Sequence, residues 1–523
     1  MSGGTLLRAA DYGSGATYDC DVVVIGTGAG GAAAGATLAE AGVDVLFVEE
    51  GSWHPTSSMN PYLAESMPRL WREAGTTMIY GRSTFLYAEG RCVGGSTVIN
   101  GGMTYRPPEE VLATWAERVS PELGADGLEP YFLRAEADLS ARPQASYSVG
   151  RDNRLMSDGA ARLGWHHQKN HRNHDHCVGA NNCVLGCPTG AKQSTLVSYM
   201  PRAMRAGARA ATELRAEALR IESGRCVGVD ARAIDPRTMR PGARVQVRAR
   251  HGVVVAAGAI QTPLLLLRHR VGRRSGQLGR NFVTHPNAKI LAVYPHEVRA
   301  WRGVSQWGQV REFLHDGIVF AENMAPPGAV AAAVPAHARA AWQAMQAYNR
   351  MVLTGVLVED SGAGRVFRGP FGMALPTYSI RPADLARFLR GLRYLGELHF
   401  EMGAEKLYLP IEGMHEVHSP DELRRLESGR VRIADIELFT PHLMGTARMG
   451  PQARHDVVDL HGQAFDLPGL FVADASLFPT PIGVNPQITI SALALRVADR
   501  LAENVLHARA DARIVRGPHV VRD

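Results

Sequence analysis

Near the N-terminus a short apolar run, Cys20 to Ile25, leads straight into Gly26-Thr27-Gly28-Ala29-Gly30-Gly31. Ala32 to Ala41 is rich in helix formers, and Val43 to Val48 is a second run of strand length. A strand, a glycine turn, a helix and a strand in that order make one βαβ unit of a parallel sheet. Within the turn, Gly26, Gly28 and Gly31 fit the spacing G-x-G-x-x-G. The first glycine permits a tight turn, the second lets the backbone approach a pyrophosphate, and the third lets the helix pack close to the strand. The helix N-terminus then offers free N–H groups and a partial positive charge to phosphates. Glu49 closes the second strand eighteen residues past Gly31. A carboxylate there accepts ribose hydroxyls, a charge-assisted contact of about 1.5–3 kcal/mol. It also repels a 2′-phosphate. Glu50 points to the other strand face and is the weaker ribose candidate. This unit predicts a bound dinucleotide without distinguishing nicotinamide from flavin.

Sheet elements of the same unit recur far along the chain. Glu213 to Val229 alternates apolar and polar residues as a β-meander does, and Gly252 to Ala257 reads as a buried strand before a helix around Pro263. Gly469 to Asp474 reads as another strand, and Gln487 to Leu506 as an apolar-faced helix. Between them, Ile290 to Phe439 mixes strand-like segments with a helical pattern from Ala383 to Phe400. A second domain is therefore inserted into the first.

Composition removes several function classes. The net charge of +6 is small for 523 residues, and the basic residues form no stripe interleaved with aromatics, so no nucleic-acid partner is expected. Only four of the 57 basic residues are lysines: Lys169, Lys192, Lys289 and Lys406. The most apolar run, Gly252 to Leu267, is broken by Gln261 and Pro263 and is too short for a transmembrane segment. The first twenty residues lack the basic start and continuous apolar stretch of a secretory signal, and six cysteines in this length make no disulfide framework. A cytoplasmic protein is expected.

Five ordered motifs carry more. Gly90-Arg91-Cys92-Val93-Gly94-Gly95-Ser96-Thr97-Val98-Ile99-Asn100 fits G-R-x-x-G-G-S-S-x-x-N except at Thr97, which keeps the hydroxyl, and Gly101 follows. Gly258 to Leu266 fits G-A-x-x-T-P-x-L-L, and Gly279-Arg280-Asn281 with His285-Pro286 fits G-x-N-x-x-x-H-P. His442 to Gly450 fits H-x-x-G-T-x-R-M-G, and Asp474-Ala475-Ser476 and Asn485-Pro486 follow in order. Together these resemble the glucose–methanol–choline (GMC) family of FAD-dependent oxidoreductases across nearly the whole chain.

The resemblance implies an α/β fold with an α+β second domain. Residues 15–110, 200–289 and 455–515 would form a discontinuous Rossmann-type FAD-binding domain. Residues 111–199 and 290–454 would form a substrate-binding or cap region on an antiparallel sheet. Arg91, Gly94, Gly95, Ser96, Asn100 and Gly101 would lie along the cofactor, with Asp474 and Ala475 at the ribityl chain and diphosphate. Ala218 would give the adenine a backbone contact. Pro486 and Gln487 open the last helix, whose N-terminal dipole favours negative charge on a reduced flavin. Some members bind flavin covalently through a histidine in the first signature; none lies between Gly81 and Arg106, so non-covalent FAD is expected.

Oxidising an alcohol removes a hydride and a hydroxyl proton, and the proton needs a base within hydrogen-bond reach. Imidazole suits this because it titrates near working pH. His442 holds the family's catalytic histidine position, and Asn485 the position where members carry histidine or asparagine. The implied partners are a small-molecule alcohol, with a bulky, sugar-like or lipophilic body, and oxygen or another electron acceptor. The alternative is a non-oxidising lyase working in the same pocket.

One cluster is less settled. His174-Asp175-His176-Cys177, Cys183 and Cys187-Pro188 gather half of the cysteines within eleven residues. In a cytosolic protein this points to metal binding more than to disulfides, and some flavin dehydrogenases of the family hold an iron–sulfur cluster at a similar place. However, C-x-x-x-C-P-T-G-A-K-Q-S-T also resembles members, long-chain alcohol oxidases among them, for which no cluster is implied, and C-x-x-C spacing is absent. A structural loop near the flavin with no metal is the preferred expectation, with a cluster and a redox-active pair as alternatives.

Overall fold

The computed structural model describes residues 4–336 and 338–516, and two large sheets organise them. The strand Ala16–Ile25 lies inside the first. Its apolar end pairs in parallel with Val45–Val48 on one side and with residues 252–255 on the other. Arg209–Ala211 and Leu470–Val472 extend this parallel layer outward. Strands buried on both faces must be apolar throughout, which is why Val22, Val23, Val24, Val45, Leu46 and Phe47 show no polar alternation. The helices Ala29–Glu40 and Gln487–Arg516 pack on each other across the glycine turn.

The long strand Pro241–Val255 belongs to two layers. Its second half joins the parallel sheet, while its first half pairs antiparallel with Arg225–Ile234, which pairs in turn with Leu214–Glu222. The expected meander is thus present and runs one strand further than its alternating pattern, because residues 252–255 are apolar on both sides.

The second sheet has ten strands and an antiparallel centre. Asn287–Val293 pairs with Met351–Val358, which pairs with Ile318–Glu322. The helix Pro382–Glu401 covers one face, where Thr354 Oγ1 meets His399 Nε2 at 2.8 Å. Because side chains alternate across a strand, the neighbouring position Gly355 turns to the opposite face, beside Lys289, Asn323 and Asn287.

Two hydrophobic cores accompany the two sheets. The helices Glu109–Arg118 and Ala125–Asp138 fall in the segment expected to belong to the cap, yet Trp115, Leu128 and Phe132 lie in the first core. Ala125–Asp138 packs on the C-terminal helix, where Arg134 pairs with Asp499 at 3.0 Å. Conversely, Ile79, Phe85 and Tyr87 join the second core, since Phe85–Tyr87 pairs with Phe439–Thr440. Periodicity identifies an apolar face but not which core it covers. Among the described residues, no helix is long and apolar enough to cross a membrane.

Candidate cofactor site and active site

The glycine turn is held by close backbone approaches. Gly26 has φ +97°, and a Cβ there would lie 2.4 Å from Ala256 O. A Cβ at Gly31 would lie 2.1 Å from Gly26 O. Gly30, which the spacing rule leaves free, is as constrained, because its Cβ would fall 1.8 Å from Ala473 O. Gly28 differs: nothing lies within 4 Å of its would-be Cβ, so open space adjoins the start of the helix Ala29–Glu40. That combination fits a diphosphate.

Glu49 is buried, and its carboxylate accepts from Thr27 N–H at 3.0 Å, Thr27 Oγ1 at 2.7 Å and Gly51 N–H at 2.8 Å. Burial pushes its pKa up, against these hydrogen bonds. Thr27 then links three segments that are distant in sequence. Its Oγ1 accepts from Gly94 N at 3.0 Å, and its carbonyl accepts from Thr195 Oγ1 at 2.9 Å. Glu50 is engaged elsewhere, with Arg72 at 3.1 Å and Arg215 at 2.7 Å. Burial opposes its ionisation, but the two guanidiniums outweigh that and hold it at about 2.

Gly94 and Gly95 take φ of +95° and +50°, which lets the signature loop turn onto the glycine turn, where a Cβ on Gly95 would stand 3.1 Å from Gly28 Cα. Ser96 is exposed and accepts from Gly90 N at 3.0 Å. Asn100 Oδ1 accepts from Gly102 N at 3.0 Å, and its Nδ2 donates to Gln487 Oε1 at 2.5 Å. The signature loop is therefore tied to the first turn of the last helix, which Pro486 precedes. Gln487 Nε2 is buried and lacks a partner. Gly101 leaves room for Gln306, whose Oε1 would lie 1.6 Å from an added Cβ.

Asp474 accepts from Gly258 N at 2.9 Å, Thr262 Oγ1 at 2.5 Å, Ser476 N at 2.8 Å and Ser476 Oγ at 2.5 Å. Ala475 O receives Gly445 N at 3.0 Å. Arg91 sends one guanidinium nitrogen towards Pro68 O at 3.4 Å and the other to the Met239 sulfur. Ala218 lies on Leu214–Glu222 at a shift of register between Ala216 and Ala218.

The cysteine loop is strapped beneath the signature loop. Lys192, buried, donates to Val98 O and Asn100 O, both at 2.7 Å, and to Cys183 O at 2.8 Å. Cys183 Sγ accepts from Arg172 Nη2 at 3.3 Å and Cys187 Sγ from Lys192 N at 3.4 Å. All six cysteines are free, and among the described residues no three His, Cys, Asp or Glu side chains are placed to hold a metal ion.

His442 is buried between two partners. Its Nδ1 lies 3.0 Å from His285 Nδ1, and its Nε2 lies 3.3 Å from Asn485 Nδ2. Gly483 N–H is the one fixed donor in this chain of contacts and donates to His285 Nε2 at 3.1 Å. His285 then carries its proton on Nδ1 and donates it to His442 Nδ1, so neutral His442 carries its proton on Nε2. The Asn485 amide can turn its oxygen to receive that proton. Burial, and next the Lys289 ammonium, lower the His442 pKa to about 3.

Reasoning from the sequence did not single out Thr27, Gly30, Lys192, Thr195, His285 or Lys289. His285 stood in a quoted motif, and only its contact with His442 gives it a role. Thr27 and Thr195 matter through pairings that no local spacing reveals.

Comparisons with known proteins agree with this architecture. GMC oxidoreductase models match residues 67–287 and 368–494, and an FAD binding domain model matches residues 21–59. The chain is 34% identical over 508 residues to an uncharacterized GMC-type oxidoreductase of Mycobacterium tuberculosis, covering 97% of this chain and 79% of that protein. It is 26% identical over 534 residues to a long-chain-alcohol oxidase of Arabidopsis thaliana, covering 93% and 68% respectively. The crystal structure of pyridoxine 4-oxidase from Mesorbium loti superposes with a TM-score of 0.68 at 21% identity, over 92% of this chain and 99% of that one. With both family domains matched in order and a relative of this identity over almost its whole length, the chain belongs to the GMC oxidoreductase family and is an FAD-dependent oxidoreductase.

Proposed function

We propose that the protein oxidises an alcohol to an aldehyde or ketone, with His442 taking the hydroxyl proton and Asn485 holding the hydroxyl oxygen. The observation that carries this reading is the contact of buried His442 with half-buried Asn485, 3.3 Å apart, Asn485 standing two residues before Gln487, whose side chain bonds the signature loop. FAD, when bound, supplies the acceptor for the hydride. Gly28 and the helix start at Ala29 would take its diphosphate, and the unpartnered Gln487 amide would face its ring. A carboxylate offers about four acceptor sites. Glu49 has three filled and keeps one for a ribose hydroxyl, whereas Asp474 has four filled and acts by fixing the loops around it.

For Nε2 of His442 to accept a proton, the ring must first hold its own proton on Nδ1. His285 then carries its proton on Nε2, facing the Gly483 N–H, and one buried hydrogen bond is lost at a cost of about 1–3 kcal/mol. That is small against the 8 kcal/mol or more by which enzymes typically lower a barrier. The low pKa keeps His442 neutral at working pH, as a base must be.

A panel of primary and secondary alcohols added to the purified holoprotein without oxygen tests this reading. At least one should bleach the oxidised flavin band. A lyase using the same groups only for acid–base chemistry would turn over its substrate with the band intact. A second prediction concerns attachment: with no histidine between Gly81 and Arg106, heat or acid should release all the flavin as FAD. Flavin still attached to the denatured chain would contradict non-covalent binding.

A further inference from the structure

We infer that Lys289, with Asn287 and Gln306, forms an anion-recognition subsite, so that the alcohol oxidised here is a hydroxylated compound bearing a carboxylate or phosphate. The inference rests on the alcohol-oxidation reading above and adds the substrate class to it.

Lys289 lies on Asn287–Val293, the strand that begins two residues after His285. Residues 287 and 289 share the sheet face opposite the helix Pro382–Glu401. Across the ladder Lys289 pairs with Gly355. A Cβ on Gly355 would lie 2.7 Å from Lys289 Nζ, 2.9 Å from Asn323 Nδ2 and 3.3 Å from Asn287 Oδ1. A glycine in mid-strand therefore keeps open the space over which these polar groups converge. Gln306 joins them, donating to Asn323 Oδ1 at 3.2 Å while its side chain lies against Gly101 of the signature loop. The cluster thus connects the second sheet to the loop expected along the cofactor.

Its polar capacity is unspent. Among the described residues, Lys289 forms no ion pair or hydrogen bond, although it lies deep in the fold. Glu322, the carboxylate on the neighbouring strand Ile318–Glu322, pairs with Thr354 and so turns to the opposite face. Asn287 Oδ1 and Gln306 Oε1 are buried without partners. Lys289 is enclosed yet keeps some accessible surface. Leaving an ammonium desolvated and unpaired is costly, and burial accordingly pushes the Lys289 pKa down to about 7; an anion beside it would restore the charged form. A substrate anion would do so through the three ammonium donors, and substrate hydroxyls would satisfy the two amide oxygens. The residue type also fits: in a chain with four lysines among 57 basic residues, a compact ammonium stands here and not the wider guanidinium. The Lys289 charge also acts on His442, lowering its pKa after burial does, and the strand that carries Lys289 begins two residues after His285, which contacts His442.

This class separates the substrate readings left open by the sequence. A long-chain lipophilic alcohol satisfies none of these groups; a sugar acid or sugar phosphate satisfies all of them.

The test compares anionic and neutral alcohols of matched shape on the holoenzyme: gluconate against glucitol, and glycerol 3-phosphate against glycerol. Anaerobic flavin reduction gives kcat/KM for each, and the shift in thermal unfolding midpoint gives binding independently of turnover. In the wild type at least one anionic alcohol should be preferred over its neutral partner. In Lys289→Met, which keeps length and removes charge, the anionic-to-neutral ratio should fall about 10- to 150-fold, the range of a charged hydrogen bond. The anion-induced unfolding shift should disappear with it, and Lys289→Arg should recover part of both. An equal loss on anionic and neutral partners in Lys289→Met would overturn the inference, because it would assign Lys289 to the fold or to His442 alone. Neutral partners preferred by the wild type would overturn it too. If no alcohol bleaches the flavin, the parent reading fails on its own; gluconate or glycerol 3-phosphate stabilising the wild type but not Lys289→Met would still support the subsite, and no stabilisation would refute it.

Discussion

Glu49→Ala should purify largely without flavin and bind added FAD about 10- to 150-fold more weakly than the wild type. That range is the loss of one charged hydrogen bond, taken at 1.4 kcal/mol per tenfold. The structure gives a second reason for the loss. Thr27 N–H and Gly51 N–H both end on this carboxylate, and alanine would leave them buried without an acceptor. Each unsatisfied group costs about 1–3 kcal/mol. Thr27 also receives Gly94 N–H and Thr195 Oγ1, so a loosened Thr27 would disturb the glycine turn and the signature loop together. The ratio of flavin absorbance to protein after gel filtration, followed by FAD titration of the apoprotein, measures the effect. Retention equal to the wild type would move the ribose contact away from Glu49.

The parallel layer was legible because its signals are local. Residues 22–25 and 45–48 are apolar without alternation, and glycines at 26, 28 and 31 follow the first run directly. The close approaches at Gly26 and Gly31 match the physical reason given for glycine at those positions. Gly30 escaped notice because its neighbour, Ala473 O, lies more than four hundred residues along the chain. Thr27 with Thr195 and His285 with His442 are likewise distant in sequence, 168 and 157 residues apart. Motif order pointed to His442 and Asn485, but only the fold shows the hydrogen-bond chain from Gly483 through His285 that sets the tautomer. The cap boundary was not legible, since Ala125–Asp138 carries an apolar face that suits either core. Lys289 gave no signal beyond being one of few lysines; its meaning comes from Gly355, a cross-strand partner.

The largest kinetic effect is expected at His442. His442→Ala removes the proton acceptor while leaving the contacts of Thr27, Asp474 and Asn100 in place, so FAD should remain bound with an ordinary oxidised spectrum. General-base catalysis is worth about 10²- to 10⁴-fold, or roughly 2.7–5.4 kcal/mol at 1.36 kcal/mol per tenfold. Asn485→Ala should cost less, because it removes a hydrogen bond and leaves the acceptor. The pH dependence follows from the sign of the shift. A protonated imidazole cannot accept the hydroxyl proton, so the rate falls as pH drops through the His442 pKa. Burial and the Lys289 ammonium move that pKa from the usual value down to about 3. The acid limb should therefore lie well below pH 6.5, and it should be absent from the alanine variant.

The most direct test of the account is the rate constant for anaerobic flavin reduction by a substrate alcohol, measured as a function of pH in the wild type and in flavin-loaded His442→Ala. The account predicts a wild-type rate that holds steady through neutral pH and drops only in strong acid, and a variant rate lower by at least about a hundredfold with no acid limb. A flavin-loaded variant that is reduced at the wild-type rate with the same pH profile would contradict it.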